Sequence, residues 1–225
     1  MKKSDFLYLF FMVLICLSCK NEGGKSIFTL SRVDPPKVER KTTVDNGNLG
    51  RSSWQKPDIV IDKLGNIEGV TIADIGAGTG YFVFRLAYRK AKVIAIDIDK
   101  DMISFVESVK INLPRELQNN VETRLAVPTD PQLKLNEVDK VVIINTISYI
   151  ENIQQYLATL KPGIKEDGSI MIVDFKNKLI DIPAPPLKDR ISIGTLQTYL
   201  MNTGFKNINV DDSSLEYQYI ITADK

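Results

Sequence analysis

Residues 70–82 read Val-Thr-Ile-Ala-Asp-Ile-Gly-Ala-Gly-Thr-Gly-Tyr-Phe. The apolar run from Val70 to Ile75 has the composition of a buried β-strand, and it stops at three glycines spaced two apart. Beyond them, Tyr81 to Arg89 has helical spacing, with Phe82 and Leu86 four apart on one face. A strand, a glycine-rich turn and a helix make the opening unit of a nucleotide-binding α/β fold. Glycine serves where the turn is tight and where a Cβ would hold a ligand away from the backbone. The start of the helix is expected to offer free N–H groups and a positive dipole end to a polar ligand.

Spacing selects the ligand. A dinucleotide fingerprint, Gly-x-Gly-x-x-Gly, requires glycine at position 81, where this chain has Tyr81. The pattern here is Asp74-x-Gly76-x-Gly78-x-Gly80, with an acid two residues before the first glycine. It resembles motif I of the class I S-adenosylmethionine-dependent methyltransferases. The resemblance implies a three-layer α/β sandwich around a Rossmann-like, mostly parallel seven-stranded sheet with an antiparallel C-terminal hairpin. It also implies S-adenosylmethionine as the small-molecule methyl donor, held by Asp74, Gly76, Gly78 and Gly80.

The 225 residues suit one α/β domain with a short extension. Formal net charge is +1, from 29 basic and 28 acidic residues, so no charge excess favours nucleic acid or a bulk membrane surface. Histidine is absent, and the two cysteines are Cys16 and Cys19. A folded domain after them has neither disulfide nor His/Cys metal ligands, so no metal site and no histidine acid–base chemistry are expected.

Residues 1–19 read as a targeting segment. Lys2 and Lys3 precede an apolar stretch, Phe6 to Leu17, which is short for a transmembrane helix. Cys16-Leu17-Ser18-Cys19-Lys20 resembles a bacterial lipobox, although Cys16 stands where that pattern prefers Leu. The resemblance implies a lipoprotein signal peptide, lipidation at Cys19, and a domain held at the cell-envelope membrane by lipid. An uncleaved anchor or an ordinary secretion signal is the alternative. Residues 20–48, polar and carrying Gly23-Gly24 and Pro35-Pro36, read as a flexible tether to a domain over 49–225.

Arg51-Ser52-Ser53-Trp54-Gln55-Lys56-Pro57 precedes an expected helix from Pro57 to Leu64. It resembles an Arg-x-x-Trp-Gln-x-Pro element found ahead of motif I in secreted or lipid-anchored methyltransferases. Trp54 either plugs the core or belongs to a segment lying over the ligand. Lys92 to Ile98 reads as the second strand, and Asp97 at its tip suits the ribose hydroxyls of a nucleoside. Asp99 or Asp101 suits the cap of the following helix, Lys100 to Lys110, better than Asp97 does.

Val121 to Val127 reads as a third strand. In the loop after it, Asp130 either meets the adenine amino group, as the resemblance implies, or sits in a Pro-stiffened turn. Val138 to Ile144, closing on the β-branched run Val141 to Ile144 after Asp139 and Lys140, is of the kind found in a central strand buried on both faces. Residues just beyond it, Asn145, Ser148 and Tyr149, are expected to face the transferable methyl group. The subfamily resembled carries Tyr-His-His where this chain has Ile147-Ser148-Tyr149. Leu160-Lys161-Pro162-Gly163 resembles the turn before the family's fifth strand, here Ser169 to Phe175, which carries Asp174. A helix over Ser192 to Thr203 and strands over Lys206 to Val210 and Glu216 to Thr222 complete the chain.

The resulting expectation is a methyltransferase with Asn145, Tyr149 and Asp174 as catalytic candidates and Asp74, Gly76, Gly78, Gly80, Asp97, Asp130 and Asn145 at the donor. No segment names the methyl acceptor. A non-catalytic lipoprotein that binds S-adenosylmethionine or a related nucleoside is the rival reading. An NAD-linked oxidoreductase is disfavoured by Tyr81.

Overall fold

A computed structural model describes residue 48 and residues 50–225. The expected signal segment, Cys19 and the tether up to residue 47 lie outside the described residues.

Seven strands form one sheet: β1 (Thr71–Ile75), β2 (Lys92–Asp97), β3 (Val121–Leu125), β4 (Val138–Ile144), β5 (Ile164–Phe175), β6 (Lys206–Asp211) and β7 (Gln218–Asp224). Their order is β3-β2-β1-β4-β5-β7-β6. The first five run parallel, and β7 is antiparallel to both β5 and β6. Strand order reverses between β1 and β4, which places a crevice at their carboxyl ends.

Among the described residues, seven α-helices accompany the sheet: α1 (Arg51–Gln55), α2 (Pro57–Asp62), α3 (Val83–Tyr88), α4 (Lys100–Lys110), α5 (Arg115–Gln118), α6 (Ile153–Leu160) and α7 (Ile193–Asn202). Strand periodicity of two sorts the core into two layers. Ala73, Ile75, Val141, Ile143 and Ile172 pack with Leu157, Leu160, Leu196 and Leu200 from α6 and α7. Ile72, Val142, Ile144 and Val173 pack with Val60, Val83, Leu86 and Val106 from α2, α3 and α4. Val141 to Ile144 are buried without a break because both faces of β4 are covered. Each such side chain contributes about 1.5–3 kcal/mol.

Several boundaries differ from the sequence reading. β3 stops at Leu125, because Val127 turns back to bridge Asp130 around Pro128-Thr129. β5 begins at Ile164, ahead of the polar run Lys165–Gly168, and its register against β4 shifts there. α2 ends at Asp62, and α3 begins at Val83, two residues past the expected start. The cap of α4 is Asp99, whose side chain accepts from the Asp101 N–H at 2.8 Å. Asp97 is thereby left for the crevice. Asp99→Ala should lower unfolding free energy by about 1 kcal/mol in urea titrations. Unchanged stability would show that the cap contributes nothing.

Candidate functional site

The crevice opens where β1, β2 and β4 end. Gly76, Gly78 and Gly80 all have left-handed φ, 72°, 53° and 79°, but their surroundings differ. A Cβ on Gly76 would overlap the Thr146 side chain, and one on Gly80 would lie 2.6 Å from the Phe84 ring. A Cβ on Gly78 would meet no atom within 4 Å. Gly76 and Gly80 are therefore packing glycines, and Gly78 faces open crevice.

The turn is tied to β2. The Gly76 and Ala77 N–H groups donate to the Ile96 carbonyl at 2.8 and 3.0 Å, and the Gly78 N–H donates to Asp97 Oδ2 at 2.8 Å. These turn donors are engaged, and α3 begins three residues beyond the last glycine.

Two cavities meet at Gly76 and Thr146. The smaller, about 150 Å³, is lined by Arg51, Asp74, Gly78, Thr79 and Asn145 among others. The larger, about 510 Å³, is mainly apolar, with Asp97, Val127, Pro128, Tyr149 and Tyr156 in its wall. Asp74 is 3% exposed. Burial pushes its carboxyl up to about 7, opposed by Arg51 and assisted by Asp97. Burial also lowers Arg51, to about 10, so the guanidinium keeps its charge at neutral pH. The small lobe thus holds a cation and an acid poised near neutrality.

Arg51 is held from three sides. It lies 4.2 Å from the Tyr81 ring centroid, which Arg85 also faces at 3.8 Å. Its Nε donates to Gln55 Oε1, and one terminal nitrogen donates to Asn48 Oδ1 at 3.2 Å. Asn48 in turn donates to Thr79 at 2.9 Å. Trp54 packs on Phe175, with centroids 5.9 Å apart. The segment ahead of motif I thus places Trp54 on the core and Arg51 beside the glycine turn.

The remaining site candidates divide. Asp97 lies in the crevice wall, with Oδ1 accepting the Asp99 N–H at 2.9 Å. Asn145 follows β4 with φ 59° and lines the small lobe. Tyr149 is 71% exposed and lines the large lobe. Partial burial, Asp174 and Asp189 push its hydroxyl above the usual range, so it stays protonated at neutral pH.

Asp130 sits in the turn, and Asp174 is a correction. Asp130 Oδ1 accepts the Gln132 N–H at 2.6 Å, while its neighbours Pro128 and Thr129 line the cavity. Asp174 is 0% exposed, and its oxygens accept N–H groups of Phe175 and Ser148 at 2.6 and 3.2 Å. Burial raises its carboxyl to about 6 against those bonds. It holds the 147–149 turn from beneath and faces neither lobe. Sequence reasoning omitted Gln218, which is wholly buried beside Asn145. Its only signal was an amide just before the apolar run Tyr219–Ile221.

Comparison with known proteins places this geometry. The methyltransferase-domain family matches residues 67–213. The chain belongs to that family. The methyltransferase domain is 25% identical over 143 residues to a ubiquinone biosynthesis O-methyltransferase of Rickettsia bellii, covering 56% of this chain and 52% of that protein. It is 25% identical over 175 residues to a tRNA U34 carboxymethyltransferase of Pseudoalteromonas translucida, covering 73% and 53%. The chain spans about half the length of these curated relatives. The crystal structure of a SAM-dependent methyltransferase from Aquifex aeolicus shares the fold, with TM-score 0.73, 24% identity, and coverage of 80% of this chain and 96% of that one.

Asp74 links this methyltransferase domain's site to its stability. Its folded pKa, about 7, exceeds the ordinary 3.8 of the unfolded chain, so the folded state holds the proton more tightly between those values. The resulting stability is fully present below about pH 4 and is lost as pH rises through about 7. Asp74→Asn, which cannot ionise, should raise Tm at pH 8 by about 2–4 °C, the shift that ~1 kcal/mol gives a domain of this size. The gain should shrink at pH 5. A gain independent of pH would show that Asp74 carries no ionisation penalty.

Proposed function

We propose that the chain is an S-adenosylmethionine-dependent methyltransferase whose donor lies along the two joined lobes. The observation that carries this reading is Gly78, with φ 53° and open space where its Cβ would be, beside a lobe holding Asp74 and Arg51. An α-amino acid is a zwitterion of a size to meet both. Asp74 would hold the ammonium group, Arg51 the carboxylate and Asp97 the ribose hydroxyls. Ile96, Val127, Pro128 and Tyr156 would enclose the adenine in the apolar lobe.

When bound, S-adenosylmethionine supplies a methyl group on a sulfonium already activated for displacement. The chain's part is alignment and exclusion of water. Arg51 and Asp74 would fix one end in the lobe that Asn145 also lines, Asp97 the middle, and Gly76 with Thr146 lies where the lobes join. Neither Asp174, sealed under the 147–149 turn, nor Tyr149, held protonated, is set to take a proton at neutral pH. The acceptor is then either already a competent nucleophile or meets another carboxylate of the cavity walls, such as Glu151. A neighbouring cavity of about 660 Å³ shares the wall Tyr149–Asn152 with the donor lobe and suits a small acceptor. The ubiquinone-biosynthesis relative supports a small molecule; the net charge of +1 gives no support to RNA.

Lipidation at Cys19 and residence at the bacterial cell envelope complete the proposal, supported by the lipobox-like Cys16–Lys20. Three acyl chains would hold the domain durably where one would not. Mass spectrometry of the mature N-terminus should show loss of residues 1–18 and a lipid-modified Cys19. An intact Met1 or an unmodified Cys19 would contradict it.

Calorimetry tests the donor site. The protein should bind S-adenosylmethionine and S-adenosylhomocysteine and ignore NAD. Gly78→Val should retain a folded far-UV spectrum and lose measurable S-adenosylhomocysteine binding, whereas Gly76→Val should collapse Tm through Thr146. Asp97→Ala should weaken binding by about 1.5–3 kcal/mol, the range for hydrogen bonds to a charged group. NAD binding, or full affinity in Gly78→Val, would sink the reading. Donor binding without methyl transfer to cell-envelope extracts would favour the non-catalytic binding lipoprotein.

A further inference from the structure

Behind the small lobe lie three side-chain amides from distant parts of the chain. Gln55 of α1 and Gln218 of β7 are both 0% exposed. Asn145, after β4, joins them. Gln55 Nε2 donates to Asn145 Oδ1 at 3.0 Å and to Gln218 Oε1 at 2.9 Å, and Gln218 Nε2 donates to the same Asn145 oxygen.

An amide side chain has no intrinsic direction, because its oxygen and nitrogen ends are alike in size. Here one neighbour removes the ambiguity. Arg51 has donors only, and its Nε donates to Gln55 Oε1. Gln55 must then turn its nitrogen toward Asn145 and Gln218. Gln218, its oxygen taken, must turn its own nitrogen toward Asn145. Asn145 is left with its oxygen accepting twice, inward, and its NH2 group without a partner among the described residues. The residue itself lines the lobe that contains Arg51 and Asp74.

The backbone keeps Asn145 in place. Its φ of 59° lies in the left-handed region, which Asn tolerates better than most residues, and its N–H donates to the Val173 carbonyl at 2.9 Å. Two buried glutamines are a costly way to fill a core that leucine or methionine would fill. Every polar atom of both except one Gln218 N–H is engaged in orienting the third amide.

We propose that Gln55 and Gln218 are positioning residues that turn the Asn145 NH2 group toward the carboxylate of the donor's amino-acid end. The proposal rests on the donor reading above and adds residues outside motif I to it. Arg51 then acts twice, as counter-ion to that carboxylate and as the group that sets the polarity of the amides behind it. The relay specifies a carboxylate-bearing ligand and is indifferent to the adenosine half.

That indifference supplies the test. S-adenosylhomocysteine and 5′-methylthioadenosine share the adenosine and the thioether, and only the first has the amino-acid end. Both are titrated calorimetrically into the full-length protein and into Gln55→Met and Gln218→Met, which keep side-chain length. Affinity for S-adenosylhomocysteine should fall about tenfold in each variant, the value of one hydrogen bond to a charged group. Affinity for methylthioadenosine should stay within about twofold of the parent, a free-energy change below roughly half a kcal/mol. Equal losses for both ligands would mean a merely structural role, and unchanged affinity for both would also overturn the proposal. Asn145→Asp needs no repacking and still accepts from both glutamines, but presents a carboxylate oxygen in place of NH2. It should weaken S-adenosylhomocysteine by more than tenfold, whereas tighter binding would place the ammonium there and overturn the assignment. A parent that binds neither compound overturns the donor reading and this proposal together; a parent that binds both, with variants showing no selective loss, overturns only this one.

Discussion

The close approach of the glycine turn to its two neighbouring strands is the constraint on which the site depends. On one side Gly76, Ala77 and Gly78 donate to the tip of β2. On the other, Gly76 lies so near Thr146, beyond β4, that no side chain fits between them. These contacts set the spacing of three strand ends, and with it the separation of Asp74, Asp97 and Asn145. A larger residue at position 76 would have to push β4's exit loop away, and both lobes of the crevice would lose their shared floor.

The charges follow from that packing. A carboxylate as deeply buried as Asp74 is costly without a partner, and the guanidinium that faces it is itself partly desolvated. Arg51 is retained there by Tyr81, which occupies the position where a dinucleotide-binding chain would need glycine. The substitution that argues against a dinucleotide is therefore also the platform for the cation. A site that holds opposite charges apart, at some cost to the free protein, suits a zwitterionic ligand that relieves both. Such residual instability is a common property of binding sites.

Much of this was legible in the sequence, and the rest was hidden for identifiable reasons. β4 was readable from its β-branched run Val141 to Ile144, because a strand stretch covered on both faces must be apolar there, while Asp139 and Lys140 near its start are only partly buried. Motif I was readable because the glycine spacing is local. The polar run Lys165–Gly168 concealed the first part of β5, since strand pairing there depends on a register shift that no periodicity reveals. Asp174 stood at a strand end where a ligand-facing acid was expected. Which way such a side chain points depends on the final backbone turn, and this one turned to nearby N–H groups. The pairing of Gln55 with Gln218 was beyond reach for another reason. They lie 163 residues apart, and only the three-dimensional packing of α1 on β7 makes them one network.

A crystal structure of the complex with S-adenosylhomocysteine is the most direct measurement of the central claim. The account predicts the amino-acid end in the small lobe, with its ammonium at Asp74 and its carboxylate between Arg51 and the Asn145 amide. The ribose should lie at Asp97, with the adenine against Val127, Pro128 and Tyr156. A ligand bound in the reverse direction along the crevice, or seated only in the cavity beyond Tyr149, would contradict it.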